Sequence, residues 1–181
     1  MARIRKARAA ARTLISKSPK GPPTDLAAIA KILKAQIELR DDLGPNVAGV
    51  LIPLPERSGW VIAVNGDDPE SRRRFTIAHE IGHIILHGYT APHADGSFQL
   101  RMRNEESATG TVDEEIEANQ FAAELLLPAD LLLKDVSSVV LEHESKASSS
   151  TGFDDTLAKL AAKYGVSRQA LALRLSALGV L

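Results

Sequence analysis

His79, Glu80 and His83 are the residues best equipped for chemistry. They sit in the run Arg72-Arg73-Arg74-Phe75-Thr76-Ile77-Ala78-His79-Glu80-Ile81-Gly82-His83-Ile84-Ile85-Leu86-His87. Helix positions four apart share a face, so His79 and His83 can offer two imidazoles to one metal ion. Glu80 is turned by about 100° around the axis, near enough to reach a water at the metal without ligating it. Two nitrogen ligands, an open position and a carboxylate base are the parts of a zinc hydrolase. A core helix with two hydrogen-bonded histidines is the plainer explanation. Packing alone, however, gives no reason for this trio at this spacing.

The trio needs a helix, and the flanks predict one. Asp68-Pro69-Glu70 reads as a helix start: a capping carboxylate, a proline at the first helical position and an acid in the first turn. Phe75, Ala78, Ile81, Gly82, Ile85 and Leu86 then cover much of the circumference, which predicts a buried helix.

A catalytic zinc takes three protein ligands and a water. His87 lies eight residues from His79, about 12 Å along the axis, too far for one ion with bonds of about 2 Å. It reads instead as a supporting histidine near the helix end. His93 falls in the following loop, where geometry leaves it open. His143 follows a leucine-rich segment and is expected on the surface. The run Asp113-Glu114-Glu115-Ile116-Glu117-Ala118-Asn119 offers carboxylates on a second helix. Its apolar stripe is Ala118, Phe121, Ala122 and Leu125. Glu117 points away from that stripe. Glu114 and Glu115 flank it, and periodicity does not separate them. Asn119 lies one turn after Glu115, where its amide can steady a ligand.

The chain has 181 residues, enough for one domain with a small appendage. Its net charge is −1, which gives no general reason to bind nucleic acid. It has no cysteine, so disulfides and thiolate ligands are excluded and a reducing cytoplasm is the expected home. Charge is uneven: residues 1–20 hold seven basic side chains and no acid, leaving 15 basic against 23 acidic in the rest. Such a start resembles a transit peptide or an arm for an acidic partner. The stripe Ile4, Ala7, Ala11 and Leu14 favours an amphipathic helix packed on the body. No apolar run is long enough to span a membrane, so no membrane partner is expected.

The other elements follow from pattern. Residues 3–17 read as a helix, ended by Ser18-Pro19-Lys20-Gly21-Pro22-Pro23. A second runs from Leu26 to about Leu33. Val47 to Leu54 and Gly59 to Val64 read as two strands, with Pro53 demoting the end of the first to an edge. Phe98-Gln99-Leu100-Arg101-Met102-Arg103 alternates like a third strand, placed to pair with an extended peptide. A helix spans Val112 to Leu127 and stops at Pro128, and a short one follows around residues 131–133. After a polar loop at 144–151, residues 157–164 and 168–178 form a helix-turn-helix pattern. The predicted division is a main domain at 1–143 and a C-terminal segment at 152–181 packed on it.

Four blocks carry a family resemblance. They are the run from Arg72 to His87; Arg103-Asn104-Glu105-Glu106-Ser107-Ala108-Thr109-Gly110; the run from Glu115 to Leu127-Pro128; and the tail from Leu160 to Leu171 with Arg174-Leu175 and Leu178-Gly179. Together they resemble the ImmA/IrrE family of bacterial metallopeptidases. The resemblance implies an α+β fold: a zincin-like helical core, a small three-stranded antiparallel sheet and a C-terminal helix-turn-helix-like hairpin. It places Zn2+ on His79, His83 and a glutamate of the third block, taken as Glu115. It implies a protein substrate, a helix-turn-helix transcriptional repressor, cleaved as a regulatory step.

In the expected hydrolysis Glu80 is the general base. The tetrahedral oxyanion needs a further donor, for which His93, Arg101 and Arg103 are the candidates. Two other functions compete. One is a DNA-binding regulator that uses residues 153–178, with Lys159, Lys163, Arg168 and Arg174, and keeps a vestigial metal site. The other is a non-proteolytic half of a toxin–antitoxin pair.

Overall fold

The computed structural model describes residues 2–18, 21–89, 93–96, 109–144 and 151–181. In chain order the elements are α1 (Ala2–Ile15), α2 (Leu26–Ile32), β1 (Ala35–Arg40), β2 (Val47–Pro53), β3 (Trp60–Asn65), α3 (Glu70–Leu86), β4 (His93–Gly96), α4 (Thr109–Leu126), α5 (Ala129–Glu144), α6 (Thr151–Tyr164) and α7 (Arg168–Ala177). One turn of 3-10 helix, Pro55–Arg57, joins β2 to β3. Helices around one small sheet make the chain α+β.

The sheet departs from the expected three antiparallel strands. Its order is β1-β3-β2-β4. β2 and β3 form the expected hairpin, from Gly49 opposite Val64 to Pro53 opposite Trp60. β1 lies parallel to β3, from Ala35 opposite Trp60 to Arg40 opposite Asn65. The sheet is therefore four-stranded and mixed. Sequence pattern hides β1 because only Ala35 is buried there, and an edge strand with little buried surface leaves a weak alternation. β4 pairs antiparallel with β2 as far as Leu51 opposite His93. Pro53 lies past that last pair, where a missing N–H removes no ladder bond. His93 thus begins a strand rather than lying in a loop. The alternating stretch 98–103, with Arg101 and Arg103, lies outside the described residues.

The helices enclose one core, with Ile29, Leu51, Ile62, Ile81, Phe121, Leu125, Leu132 and Leu171 fully buried. α1 packs along α4 through Ala7, Ala11 and Leu14. On its polar side Arg3 pairs with Asp113 at 2.7 Å, Arg8 with Gln120 at 2.7 Å and Arg12 with Glu124 at 2.7 Å. Residue numbers rise together along both helices, so they run parallel. The basic N-terminal stretch is thereby engaged by the main body. α3 starts at Glu70, one residue later than expected. Pro69 holds the N-cap position without a side-chain cap bond, and Asp68 instead pairs with Arg72 at 3.1 Å. α5 runs sixteen residues where a short helix is expected. Ser167 caps α7 by accepting from the Ala170 N–H.

Candidate metal centre

The site begins at a helix crossing. A Cβ built at Gly82 on α3 would lie 3.2 Å from Ala118 Cα and 3.2 Å from Phe121 Cδ1 on α4. Only a bare glycine lets the two helices approach this closely without one giving way. Around that contact α3 presents His79 and His83, and α4 presents Glu115 and Asn119.

These side chains converge. The Nε2 atoms of His79 and His83 are 2.9 Å apart. Glu115 Oε2 lies 3.2 Å from His79 Nε2, and its Oε1 lies 3.3 Å from His83 Nε2. A tetrahedral zinc with bonds of about 2.0–2.1 Å sets its ligand atoms about 3.3 Å apart. The observed separations fit that spacing, and two imidazoles with one carboxylate fit the donor set of an open zinc site. These three residues are the described group that could hold a metal ion. His83 is fully buried and His79 nearly so, whereas the Glu115 side chain keeps 19% of its surface exposed.

Hydrogen bonds outside the cluster set the imidazole tautomers. His79 Nδ1 is 3.0 Å from Asn119 Oδ1. That oxygen can only accept, so His79 donates from Nδ1 and carries its lone pair on Nε2, facing the cluster. Asn119 thus occupies the supporting position expected from its spacing. His83 Nδ1 is 2.9 Å from His87 Nδ1, and His87 Nε2 is 3.3 Å from Glu117 Oε2. His87 is accordingly placed behind the cluster rather than in it.

The two adjacent glutamates part company here. Glu114 Oε2 accepts from the Tyr89 hydroxyl at 2.9 Å, while Glu115 meets both imidazoles. Glu80 is fully buried. Its carboxylate lies against the sheet, where a Cβ at Gly49 would come within 3.1 Å of Glu80 Oε1 and 2.5 Å of Thr76 Cγ2. His93 is described as a β4 backbone position only, and Arg101 and Arg103 fall outside the described residues.

Three contributors escape a reading by sequence. Glu117 points away from the apolar stripe of its own helix, yet the last turn of α3 overhangs it. Tyr89 lies just past a helix end and carries no periodic signal. Gly49 would stand out only to a reader who knew which residue faced it across the sheet.

Ion pairs on α4 and hydrogen bonds on α3 hold the two site helices to their neighbours. Glu124 on α4 is buried between Arg12 of α1 and Arg174 of α7, and Arg174 also donates to the Leu127 carbonyl at 3.1 Å. Burial alone would push the Glu124 carboxyl up, but the bond from Arg12 and the charge of Arg174 outweigh it and hold it below the usual range. Arg74 on α3 donates to the carbonyls of Thr24 at 2.8 Å and Gly165 at 3.2 Å, and burial pulls its guanidinium down. Tyr164 donates to Asp135 at 2.8 Å; burial and that bond push the phenol up.

Comparison with known proteins bears on the family and the fold. Comparison with curated proteins gives no match. Among solved structures, a Mycobacterium tuberculosis transcriptional regulator superposes with a TM-score of 0.56 at 16% identity, covering 94% of this chain and 46% of that one. The chain therefore spans less than half the length of this similar structure, and the likeness concerns the fold. Among the described residues, no helix is long and apolar enough to cross a membrane. A peptidase family model described as the IrrE N-terminal-like domain matches residues 34–176, which contain both site helices and the whole sheet. The match covers most of the chain, and the chain belongs to the IrrE N-terminal-like peptidase family.

Proposed function

We propose that this chain is a zinc-dependent endopeptidase whose substrate is a helix-turn-helix transcriptional repressor. One observation carries the reading: the Nε2 atoms of His79 and His83 and the Glu115 carboxylate converge on one point, and the residue after His79 is the fully buried Glu80. A bound zinc supplies Lewis-acid polarisation of the scissile carbonyl and activates the attacking water. The rest is done by the chain. His79, His83 and Glu115 hold the ion, and Asn119 fixes the His79 tautomer. Glu80 takes the proton of the attacking water and passes it to the leaving amine. Gly49 leaves room for that carboxylate. His93, Arg101 and Arg103 remain the candidates to steady the oxyanion. The repressor substrate rests on the ImmA/IrrE resemblance, and the cytoplasm is where such a substrate would be met.

The domain assignment is part of the proposal: residues 1–143 form the zincin-like peptidase unit, and residues 152–181 a hairpin packed on it as a buttress. A regulator that binds DNA through this hairpin is the competing reading, and the transcriptional regulator among the similar structures speaks for it. The charges speak against it. Lys159 pairs with Asp155 at 2.6 Å, Lys163 with Asp135 at 2.7 Å, and Arg174 is buried on Glu124. Arg174, buried this way, is out of reach of a phosphate, and the acids beside Lys159 and Lys163 weaken the positive field a phosphate backbone needs.

The decisive experiment incubates the purified chain with helix-turn-helix repressors from the same organism, with zinc and with chelator. Zinc-dependent cleavage that Glu80→Gln abolishes is the expected result. Salt-sensitive binding to DNA without any cleavage would give the role to the hairpin instead.

A further inference from the structure

We propose that His87 and Glu117 form a relay that orients His83 towards the metal. Both are positioning residues, and neither ligates. The inference rests on the reading of His79, His83 and Glu115 as the metal site.

The relay is a line of three side chains. Glu117 Oε2 lies 3.3 Å from His87 Nε2, and His87 Nδ1 lies 2.9 Å from His83 Nδ1. The far end sets the direction of every bond. An ionised carboxylate can only accept, so His87 donates from Nε2. A neutral His87 then keeps its lone pair on Nδ1 and accepts from His83 Nδ1–H. The His83 lone pair is left on Nε2, facing His79 and Glu115. For neutral imidazoles this is the one arrangement that satisfies both bonds.

The surroundings protect it. The His87 side chain is 6% exposed and that of Glu117 15%, so water competes weakly for these bonds. The Tyr89 ring packs beside both imidazoles, with centroids 5.2 Å from His83 and 6.0 Å from His87. Arg3 of α1 sits 3.8 Å from Glu117 Oε1, at the outer end of the line.

The two histidines are therefore held unequally. His79 leans on a neutral amide, whereas His83 leans through His87 on an anion. An anion at the end of a hydrogen-bonded chain polarises each bond in turn, which makes His83 Nε2 the stronger donor. Helix α4 supplies Glu115 to the cluster, Glu117 to the relay and Asn119 to His79. Alternate residues of one helix thus serve the site at two depths.

The test uses the full chain. Zinc affinity is measured by competition with a chromophoric chelator, and the His83 tautomer by 15N–1H spectra of the imidazoles without metal. Wild type should show His83 protonated at Nδ1. His87→Phe keeps a ring in the slot and removes the acceptor. It should raise the zinc Kd about 10–100-fold and erase the His83 tautomer preference. Glu117→Gln keeps an accepting oxygen but not the charge, so a smaller loss is expected with the tautomer retained. The double variant should bind no more weakly than His87→Phe alone, because the two residues act in series. Wild-type affinity and an unchanged His83 tautomer in His87→Phe would overturn the relay, as would additive losses in the double variant. Should His87→Phe not fold, Glu117→Gln decides, and wild-type zinc affinity there overturns the proposal. A wild-type chain that takes up no zinc overturns the metal site itself, a result distinct from all of these.

Discussion

Glu114 accepts a hydrogen bond from the Tyr89 hydroxyl at 2.9 Å, and that bond holds it apart from the imidazoles its neighbour reaches. Glu115, one residue on, lies 3.2 Å and 3.3 Å from the two Nε2 atoms. Glu115→Ala should therefore weaken zinc binding by more than the about 10–100-fold typical of losing an outer hydrogen-bond partner. Glu114→Ala should leave zinc affinity unchanged. Chelator competition on both variants separates them, and the opposite ranking would give the ligand role to Glu114.

Glu80→Gln preserves the shape of a fully buried side chain and removes its basicity. The variant should bind one zinc per chain as wild type does. Its cleavage rate should drop about 10²–10⁴-fold, the range expected when a general base is lost. Metal analysis alongside a cleavage assay checks both halves.

Gly49→Ala would place a methyl 2.5 Å from Thr76 Cγ2 and 3.1 Å from Glu80 Oε1. Something must move, at about 1–3 kcal/mol of stability. We expect intact zinc binding with a reduced cleavage rate, since the three ligand atoms lie elsewhere. Chemical denaturation, metal content and turnover measured together will show whether the strain reaches Glu80.

Arg174→Leu removes one partner of the buried Glu124 and leaves Arg12 as the other. Breaking a buried pair by deleting one member is destabilising by about 3–5 kcal/mol, and the remaining guanidinium should keep the loss near the lower end. The same carboxylate makes the fold acid-sensitive. Its folded value lies below the ordinary 4.5, so its stabilisation is complete above that value and fades as the pH falls through the lower folded one. Asp135, lowered by Lys163 and Tyr164 against the opposing effect of burial, adds to the same trend. Urea midpoints between pH 3 and pH 7 should fall towards the acid end in wild type and flatten in Arg174→Leu.

The legible parts of this molecule are those whose signal lies within one element. The helix carrying His79, Glu80 and His83 and the helix carrying Glu115 announce themselves through apolar periodicity. The β2–β3 hairpin does so through two apolar runs around a short turn. What stays hidden depends on pairs of elements. β1 shows almost no buried face, so its parallel place beside β3 has no local signature. The choice between Glu114 and Glu115 depends on how α4 crosses α3, and on Tyr89, which belongs to neither helix. Glu117 looks idle on its own helical wheel and acquires its partners, His87 and Arg3, from other elements.

Gly82 gives the site a second meaning. Because α3 and α4 touch at this bare position, the donor atoms around it come from both sides of a major core contact. An ion held there acts as a clasp across the molecule as well as a reagent. By mass action, zinc at a hundred times its Kd would add about 2.7 kcal/mol to the stability of the whole chain. Loss of the ion would be felt as far as the helix packing, so metal supply would set how long the protein lasts along with how fast it works.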